Sequence, residues 1–331
     1  MASIEIFEDQ AFSVTTLTAA INEQPFKPGR IGELGLFSEQ GITTLTAQIE
    51  YDGSTLGLVS AQPRGSVGES SDLGERKLLP INTVHLPKRD TMYADEVQGI
   101  RAFGSQTELE VAQVRVNRYL AKHRQDLDVT HEYHRVGAIN GKILDADGKK
   151  GLLDVYKTFG ITKTELSMGL NSADTNLRLK CDDALELIEK ALGATYFRGG
   201  RALCGKEFWQ KLISHPSVEK TYLNTSQAAE LRGAVPDSFD FGGIVFERYR
   251  GSVGDKAFIP DGEARLYPEG VSDFFITRFS PADYMETVNT EGLPYYSRVE
   301  PLRFGKGLEI ESQSNPIHVP TRPKAIVHLK L

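Results

Sequence analysis

Ile42-Thr-Thr-Leu45-Thr-Ala47-Gln-Ile49-Glu-Tyr51-Asp52-Gly53 and the return run Lys77-Leu-Leu-Pro-Ile-Asn-Thr-Val-His-Leu86 bound the most informative stretch of this chain. Leu45, Ala47, Ile49 and Tyr51 alternate with Thr46, Gln48 and Glu50, which is the period of a strand. Asp52-Gly53 supplies a hairpin pair, because glycine accepts positive φ at no steric cost. Leu56 and Leu58 resume the alternation. Beyond Pro63, the segment Arg64-Gly-Ser-Val-Gly-Glu-Ser-Ser-Asp-Leu-Gly-Glu-Arg-Lys77 has almost nothing to bury. Its own contacts cannot offset the entropy of ordering it. The stretch is therefore expected to lie on another surface, and another copy of the same chain is the expected one.

On the N-terminal side, residues 1–41 read as an arm. An amphipathic stretch from Phe12 to Ile21 ends at Asn22, and Pro25, Pro28, Gly29, Gly32 and Gly35 break regular structure in the remainder of the arm. Leu34, Leu36 and Phe37 are the expected anchors of this arm on a partner.

On the C-terminal side, Thr107-x-x-Glu110 is a capping-box signature. Leu109, Ala112, Val116, Tyr119, Leu120, His123 and Leu127 come next at helical spacing, with few breakers before Gly137. A helix of about 30 residues spans roughly 45 Å, long enough to be a spine. Lys142–Leu144 and Leu152–Tyr156 read as strands joined at Asp147-Gly148. Asn176 to Leu192 is a second helix that Gly193 stops. Short strands and helices then alternate to about Tyr284: Arg201–Cys204, Lys206–Ser214, Ile244–Tyr249, Ala257–Ile259 and Ala264–Tyr267. Gly307–Glu311 and Ala325–Leu329 are expected to pair with the strands after the spine.

Composition excludes several function classes. The chain has 331 residues, 40% hydrophobic and 25% charged, as ordinary folded domains do. Its 31 Gly and 15 Pro imply many turns. A net charge of -7 argues against a surface that grips nucleic acid throughout. The N-terminus has no basic and apolar signal pattern, and no window is apolar enough to span a membrane. Cys181 and Cys204 are the two cysteines, too few for a disulfide scaffold.

The chemical motifs each lack a part. Gly200-Arg-Ala-Leu-Cys-Gly205-Lys206 has phosphate-loop spacing, but Glu207 stands where Ser or Thr would ligate magnesium. A strand, a turn and a helix explain it better, and a nucleotide-binding enzyme is the alternative it leaves. His131-Glu-Tyr-His134 spaces its histidines i, i+3, whereas a zinc-protease helix needs i, i+4. It reads as polar residues near the end of a solvated helix. Asp145-Ala-Asp-Gly148 lacks the later ligands of a calcium loop and reads as a turn. Cys204 reads as a small buried hydrophobe, and Cys181 as lying at the solvated start of a helix. No catalytic, cofactor or metal residue is therefore expected. Arg64, Glu69, Asp72, Glu75, Arg76 and Lys77 place both signs of charge on the extended stretch, suited to fixing register against a neighbour.

An ordered set of segments carries a resemblance over nearly the whole chain. They are Asp9–Ser13, Leu17–Asn22, Gly32–Phe37, Ala94–Gly104, Gly141–Gly148, Ala202–Gly205, Phe246–Gly251, Ser280–Thr290, Gln313–Pro316 and Thr321–Pro323. Together they resemble the major capsid proteins of tailed bacteriophages, the lambda-type capsid protein E family. The resemblance implies an α+β tailed-phage capsid fold with an N-terminal arm (1–41) and an extended β-hairpin loop (42–93). It further implies a peripheral domain with a spine helix (94–170 and 291–331) and an axial α/β domain (171–290).

The implied function is a non-enzymatic head protein that self-assembles, as hexamers and pentamers, into an icosahedral shell around packaged double-stranded DNA. No cofactor is implied. Arg64, Glu75, Arg76 and Lys77 are the implied inter-subunit contacts of the extended loop, with each N-arm reaching a further subunit. Because the chain opens directly on the arm, a scaffolding protein is expected to act in trans. A portal protein, non-specific contact with packaged DNA and a decoration protein complete the implied partners, with no membrane. The implied location is the virion, assembled in the bacterial host cytoplasm.

Overall fold

The computed structural model describes residues 10–24, 29–51, 77–94, 108–193, 195–223, 237–253 and 256–331. In chain order its first elements are α1 (Val14–Glu23), α2 (Arg30–Glu33), β1 (Phe37–Gly41), β2 (Thr46–Tyr51), β3 (Lys77–Asn82), β4 (Leu86–Tyr93) and the spine helix α3 (Glu108–Asn140). Next come β5 (Lys142–Leu144), β6 (Gly151–Asp154), α4 (Val155–Phe159), β7 (Thr164–Ser167), α5 (Leu177–Leu192), β8 (Gly199–Cys204), α6 (Lys206–Ile213) and α7 (Pro216–Leu223). The remaining strands are β9 (Ser238–Phe241), β10 (Ile244–Arg248), β11 (Ser252–Val253), β12 (Lys256–Ala257), β13 (Glu263–Glu269), β14 (Phe275–Phe279), β15 (Tyr296–Pro301), β16 (Gly307–Ser314), β17 (Pro316–Pro320) and β18 (Val327–Lys330). The turn at Asp52-Gly53, Leu56, Leu58, the cap at Thr107 and the connector after Ala94 lie outside the described residues.

Contacts divide the chain into two units, residues 1–47, 80–134 and 276–318 in one, and 48–79, 135–275 and 319–331 in the other. This grouping by contact is a separate matter from the segmentation into arm, loop, peripheral and axial parts, which concerns place in a shell.

In the first unit an antiparallel sheet of order β15-β16-β4 presents Leu308, Ile310 and Met92 to the spine. Val116, Leu120 and Leu127 of α3 meet them, and Phe12, Leu17 and Ile21 complete this core. Ser13 caps α1 by accepting the Thr16 N–H at 3.2 Å. Each of the large apolar side chains contributes about 1.5–3 kcal/mol when buried. That packing orders a helix of ten residues, which would be marginal alone. The apolar face of the Phe12–Ile21 stretch is thus covered by the chain's own spine and sheet. A second small sheet, order β1-β14-β17, adds Phe37, Phe279 and His318.

The other unit holds a mixed six-stranded sheet of order β7-β18-β13-β8-β10-β9. β8 lies inside it, parallel to β10 and antiparallel to β13. Its Ala202, Leu203 and Cys204 are fully buried, the pattern of a strand covered on both faces. α5 buries Leu177, Cys181, Ala184, Ile188 and Leu192, and α6 buries Phe208, Trp209 and Leu212. Gly193 ends α5 at φ 63° and returns its N–H to the Glu189 carbonyl.

Several sequence expectations change. Leu152–Tyr156 is not one strand: Asp154 ends β6 and accepts the Lys157 N–H at 3.0 Å, so a short helix starts at Val155. Leu45 precedes β2 and is 70% exposed, so it does not share the buried face of Ala47 and Ile49. β16 pairs with β15 and β4, not with the strands after the spine, while β18 pairs with β7 and β13. Cys181 is buried within α5 and not solvated.

Candidate functional site

The spine helix organises the site. Val116, Leu120, Arg124, Asp128 and Glu132 recur every fourth residue, so they form one stripe along α3. The first two are apolar and pack on α1. The next three are charged, buried and committed to the N-terminal segment or to Tyr295, just before β15.

Arg124 donates from Nη1 to the Ile21 carbonyl at 3.0 Å, and from Nε to Asp128 at 3.1 Å. It thereby satisfies a carbonyl in the last turn of α1, where helices lack internal donors. Its guanidinium lies 3.9 Å from the centre of the Tyr295 ring. Tyr295 donates its hydroxyl to Asp128 at 2.5 Å, so the carboxylate is held from two sides. Asn22 ties the same place, donating to the Tyr295 carbonyl at 2.9 Å.

One turn further along α3, Glu132 accepts the backbone N–H groups of Ile31 at 2.8 Å and Gly32 at 3.1 Å. Gly29 precedes them because a Cβ there would lie 2.2 Å from the Glu132 carboxyl carbon. Of the expected arm anchors, Phe37 is 8% exposed and meets His318 edge-on at 5.7 Å within its own unit. Leu34 and Leu36 are half-buried.

The extended stretch is rooted in the same unit. The Ile42 N–H donates to the Phe279 carbonyl at 2.8 Å, and the Gly292 N–H to the Ile42 carbonyl at 3.0 Å. Thr83 donates its N–H to the Leu45 carbonyl, and Val84 to the Pro316 carbonyl. Thr46 Oγ1 donates to Asn82 Oδ1 at 2.9 Å. β2 and β3 pair as a ribbon from this root, with Leu45 and Leu78 exposed by 70% and 56%. Arg64, Glu75 and Arg76 lie outside the described residues, and Lys77 opens β3.

The outward side of the three-stranded sheet carries paired charge. Arg89 bridges Glu309 and Glu311, and Arg298 bridges Glu286 and Glu300. At the end of this sheet the β15–β16 turn exposes Phe304 by 93%.

The motif residues are placed elsewhere. Gly200–Cys204 lies in β8, whose amides belong to ladders on both sides, and Gly205 donates its N–H to the Glu263 carbonyl. The strand amides and that of Gly205 are thus committed to the sheet, unlike the exposed amides of a phosphate loop. Asp145 and Asp147 accept amides of their own turn, from Ala146, Lys149 and Lys150, as the hairpin reading requires.

His131 and His134 correct the expectation of a solvated helix end: both are 1% exposed. His131 stacks on Tyr295 at 5.4 Å and meets His318 at 5.5 Å, and its Nε2 lies 2.9 Å from Ser314 Oγ. Among the described residues no group of His, Cys, Asp and Glu could hold a metal ion, and no helix is long and apolar enough to cross a membrane. Burial pushes the Cys181 thiol up to about 12 and raises that of Cys204 as well.

Sequence reasoning missed Arg124, Asp128 and Glu132. Their signal was present: an oppositely charged pair at i, i+4, in line with Val116 and Leu120.

Comparison with known proteins places these features. Residues 13–331 match the family described as phage major capsid protein E. The major capsid protein of Pseudomonas phage KPP10 is 31% identical over 343 residues, 96% of each chain. A candidate capsid protein of an Escherichia coli CFT073 prophage has a similar structure, with a TM-score of 0.57 at 15% identity over 96% of this chain and 98% of that one. The capsid of an empty GTA particle gives a TM-score of 0.51 at 12% identity, over 93% of this chain and 92% of that one.

Proposed function

Because the chain belongs to the phage major capsid protein E family, we propose that its work is done between copies of itself and not at an active site. It is a major capsid protein, the structural unit of the icosahedral shell that encloses packaged double-stranded DNA. Its capsid fold is α+β.

The observation that carries the mechanism is the rooted ribbon. β2 and β3 leave a root fixed by backbone hydrogen bonds, with Leu45 exposed at the root and Leu78 exposed on β3. Both ends of the extended loop are tied at that root, so its contacts can be repeated from subunit to subunit. Head-to-tail contacts of that kind close into rings when the rotation fits. In this reading 42–93 is the extended loop laid on an adjacent subunit, with Arg64, Glu75, Arg76 and Lys77 setting register there. Leu34 and Leu36 offer the arm's remaining contact surface. Residues 94–170 and 291–331 form the peripheral part, and 171–290 the axial part around five- and six-fold axes.

The same reading calls for a scaffolding protein in trans, a portal protein and non-specific contact with packaged DNA. It also places assembly in the host cytoplasm and the finished protein in the virion.

The test is deletion of Pro63–Lys77. Such a chain should keep the six-stranded sheet folded but form no stable shells by negative-stain microscopy. Normal shells from that deletion would remove the assignment of the loop.

A further inference from the structure

The turn between β15 and β16 places a bulky residue where a hairpin usually has glycine or asparagine. Leu302 donates its N–H to the Gly307 carbonyl at 2.9 Å, and Gly305 to the Leu302 carbonyl at 3.1 Å, so the turn is closed and defined. Phe304 sits at its tip with φ 63° and ψ 17°, in the left-handed region. A bulky L-residue there is an outlier, since its Cβ crowds the backbone. Glycine serves the next position, Gly305, at the same φ. The Phe304 ring is 93% exposed, so no packing in the subunit compensates the strain or the solvated aromatic surface.

Such conformations persist where another interaction uses them. Arg303, Gly305 and Lys306 are exposed beside the ring, giving a tip with two cations and one phenyl group. Aromatic residues and Arg are the side chains most enriched at the energetic centres of interfaces. The chain as a whole carries a net charge of -7, so a basic tip is complementary to the surface of its own copies. Near the base of the turn Glu300 and Glu309 face each other in register, and each is paired with an arginine, Arg298 and Arg89.

We propose that Arg303-Phe304-Gly305-Lys306 is an inter-subunit plug, with Phe304 packed against an acidic, apolar surface of a second copy of this chain. The inference rests on the capsid reading and adds a contact distinct from the extended loop. It makes stability and assembly move in opposite directions. Phe304→Gly and Phe304→Asn both suit a left-handed φ without the ring. Unassembled subunits of either variant should unfold at the same or a higher denaturant concentration than the unaltered chain. Their yield of closed particles should fall at least tenfold.

Particle yields equal to those of the unaltered chain would overturn the plug while leaving the capsid reading in place. Early unfolding of both variants would show a role inside the subunit and overturn it too. Intact particles that have lost only retained DNA would assign the tip to nucleic acid instead. Failure of the unaltered chain itself to form particles would count against both readings.

Discussion

The Glu132 carboxylate accepts the backbone N–H of Ile31 at 2.8 Å, from a residue 101 positions earlier in the chain. A second bond from Gly32 makes the clasp bidentate. The spine helix therefore holds the N-terminal segment at two places, Arg124 at the carbonyl end of α1 and Glu132 at the amide end of α2. Opposite charges meet opposite helix ends, as the partial charges of the peptide groups require.

Glu132→Ala should leave two amides without their acceptor and cost about 1–3 kcal/mol. The expected readout is a lower denaturant midpoint together with faster hydrogen exchange at Ile31 and Gly32. Unchanged protection at those two amides would mean that the clasp does not hold the segment.

Arg124→Met should be more damaging, because it strands Asp128, whose side chain is 2% exposed. Breaking a buried pair from one side costs about 3–5 kcal/mol. It also frees the Ile21 carbonyl, so limited proteolysis should open first within Val14–Glu23. Replacing both residues, Arg124→Met with Asp128→Leu, should recover part of the loss. A double variant as unstable as the single one would argue that hydrogen bonding at Tyr295 and Ile21 dominates over the stranded charge.

Acid should weaken the six-stranded sheet through His328. Its Nε2 lies 2.7 Å from the Tyr156 hydroxyl. Burial first, and then the Arg265 guanidinium and the Lys163 ammonium, push its pKa down to about 3, against the weaker pull of Glu165. Burial also raises the Tyr156 phenol to about 12, so that hydroxyl stays protonated and donates to a neutral imidazole. The unfolded chain binds a proton at His328 below about pH 6.5, while the fold refuses it until about 3. Stability is thus fully present above about 6.5 and is lost as pH falls toward 3, by on the order of 4 kcal/mol. His328→Gln, which keeps an acceptor for Tyr156, should flatten that acid limb in unfolding titrations. An unchanged limb would place the acid sensitivity elsewhere.

Both cysteines should be inert in the fold. Burial raises each thiol well above neutrality, so almost no thiolate forms at pH 8. A thiol reagent should label neither Cys181 nor Cys204 in the native protein and both after denaturation. Prompt native labelling of Cys181 would contradict its place on the buried face of α5.

Local signals in the sequence carried much of this fold. Helical spacing from Val116 to Leu127 marked the spine, and Asn176 with Gly193 bracketed α5 because caps act through adjacent backbone. The Gly200–Lys206 stretch read correctly as strand, turn and helix, since Ala-Leu-Cys is what a covered strand needs. What local pattern could not supply was burial decided by distant partners. His131 and His134 look solvated until Ser314, Tyr295 and His318 surround that end of the helix. Leu152–Tyr156 looks like one strand until the Asp154 side chain caps the next helix. The pairing of β16 with β4 joins residues more than 200 positions apart, beyond the reach of any local periodicity. The arm's amphipathic stretch was legible, but the surface that covers it was not.

Above all, this chain is expected to build closed shells from copies of itself. Electron microscopy of the full-length protein, produced together with the other head proteins of its phage, decides the matter. Uniform closed particles should appear, with five- and six-fold clusters of this subunit in their walls. Persistent monomers, or particles whose walls contain another protein in its place, would contradict that assignment.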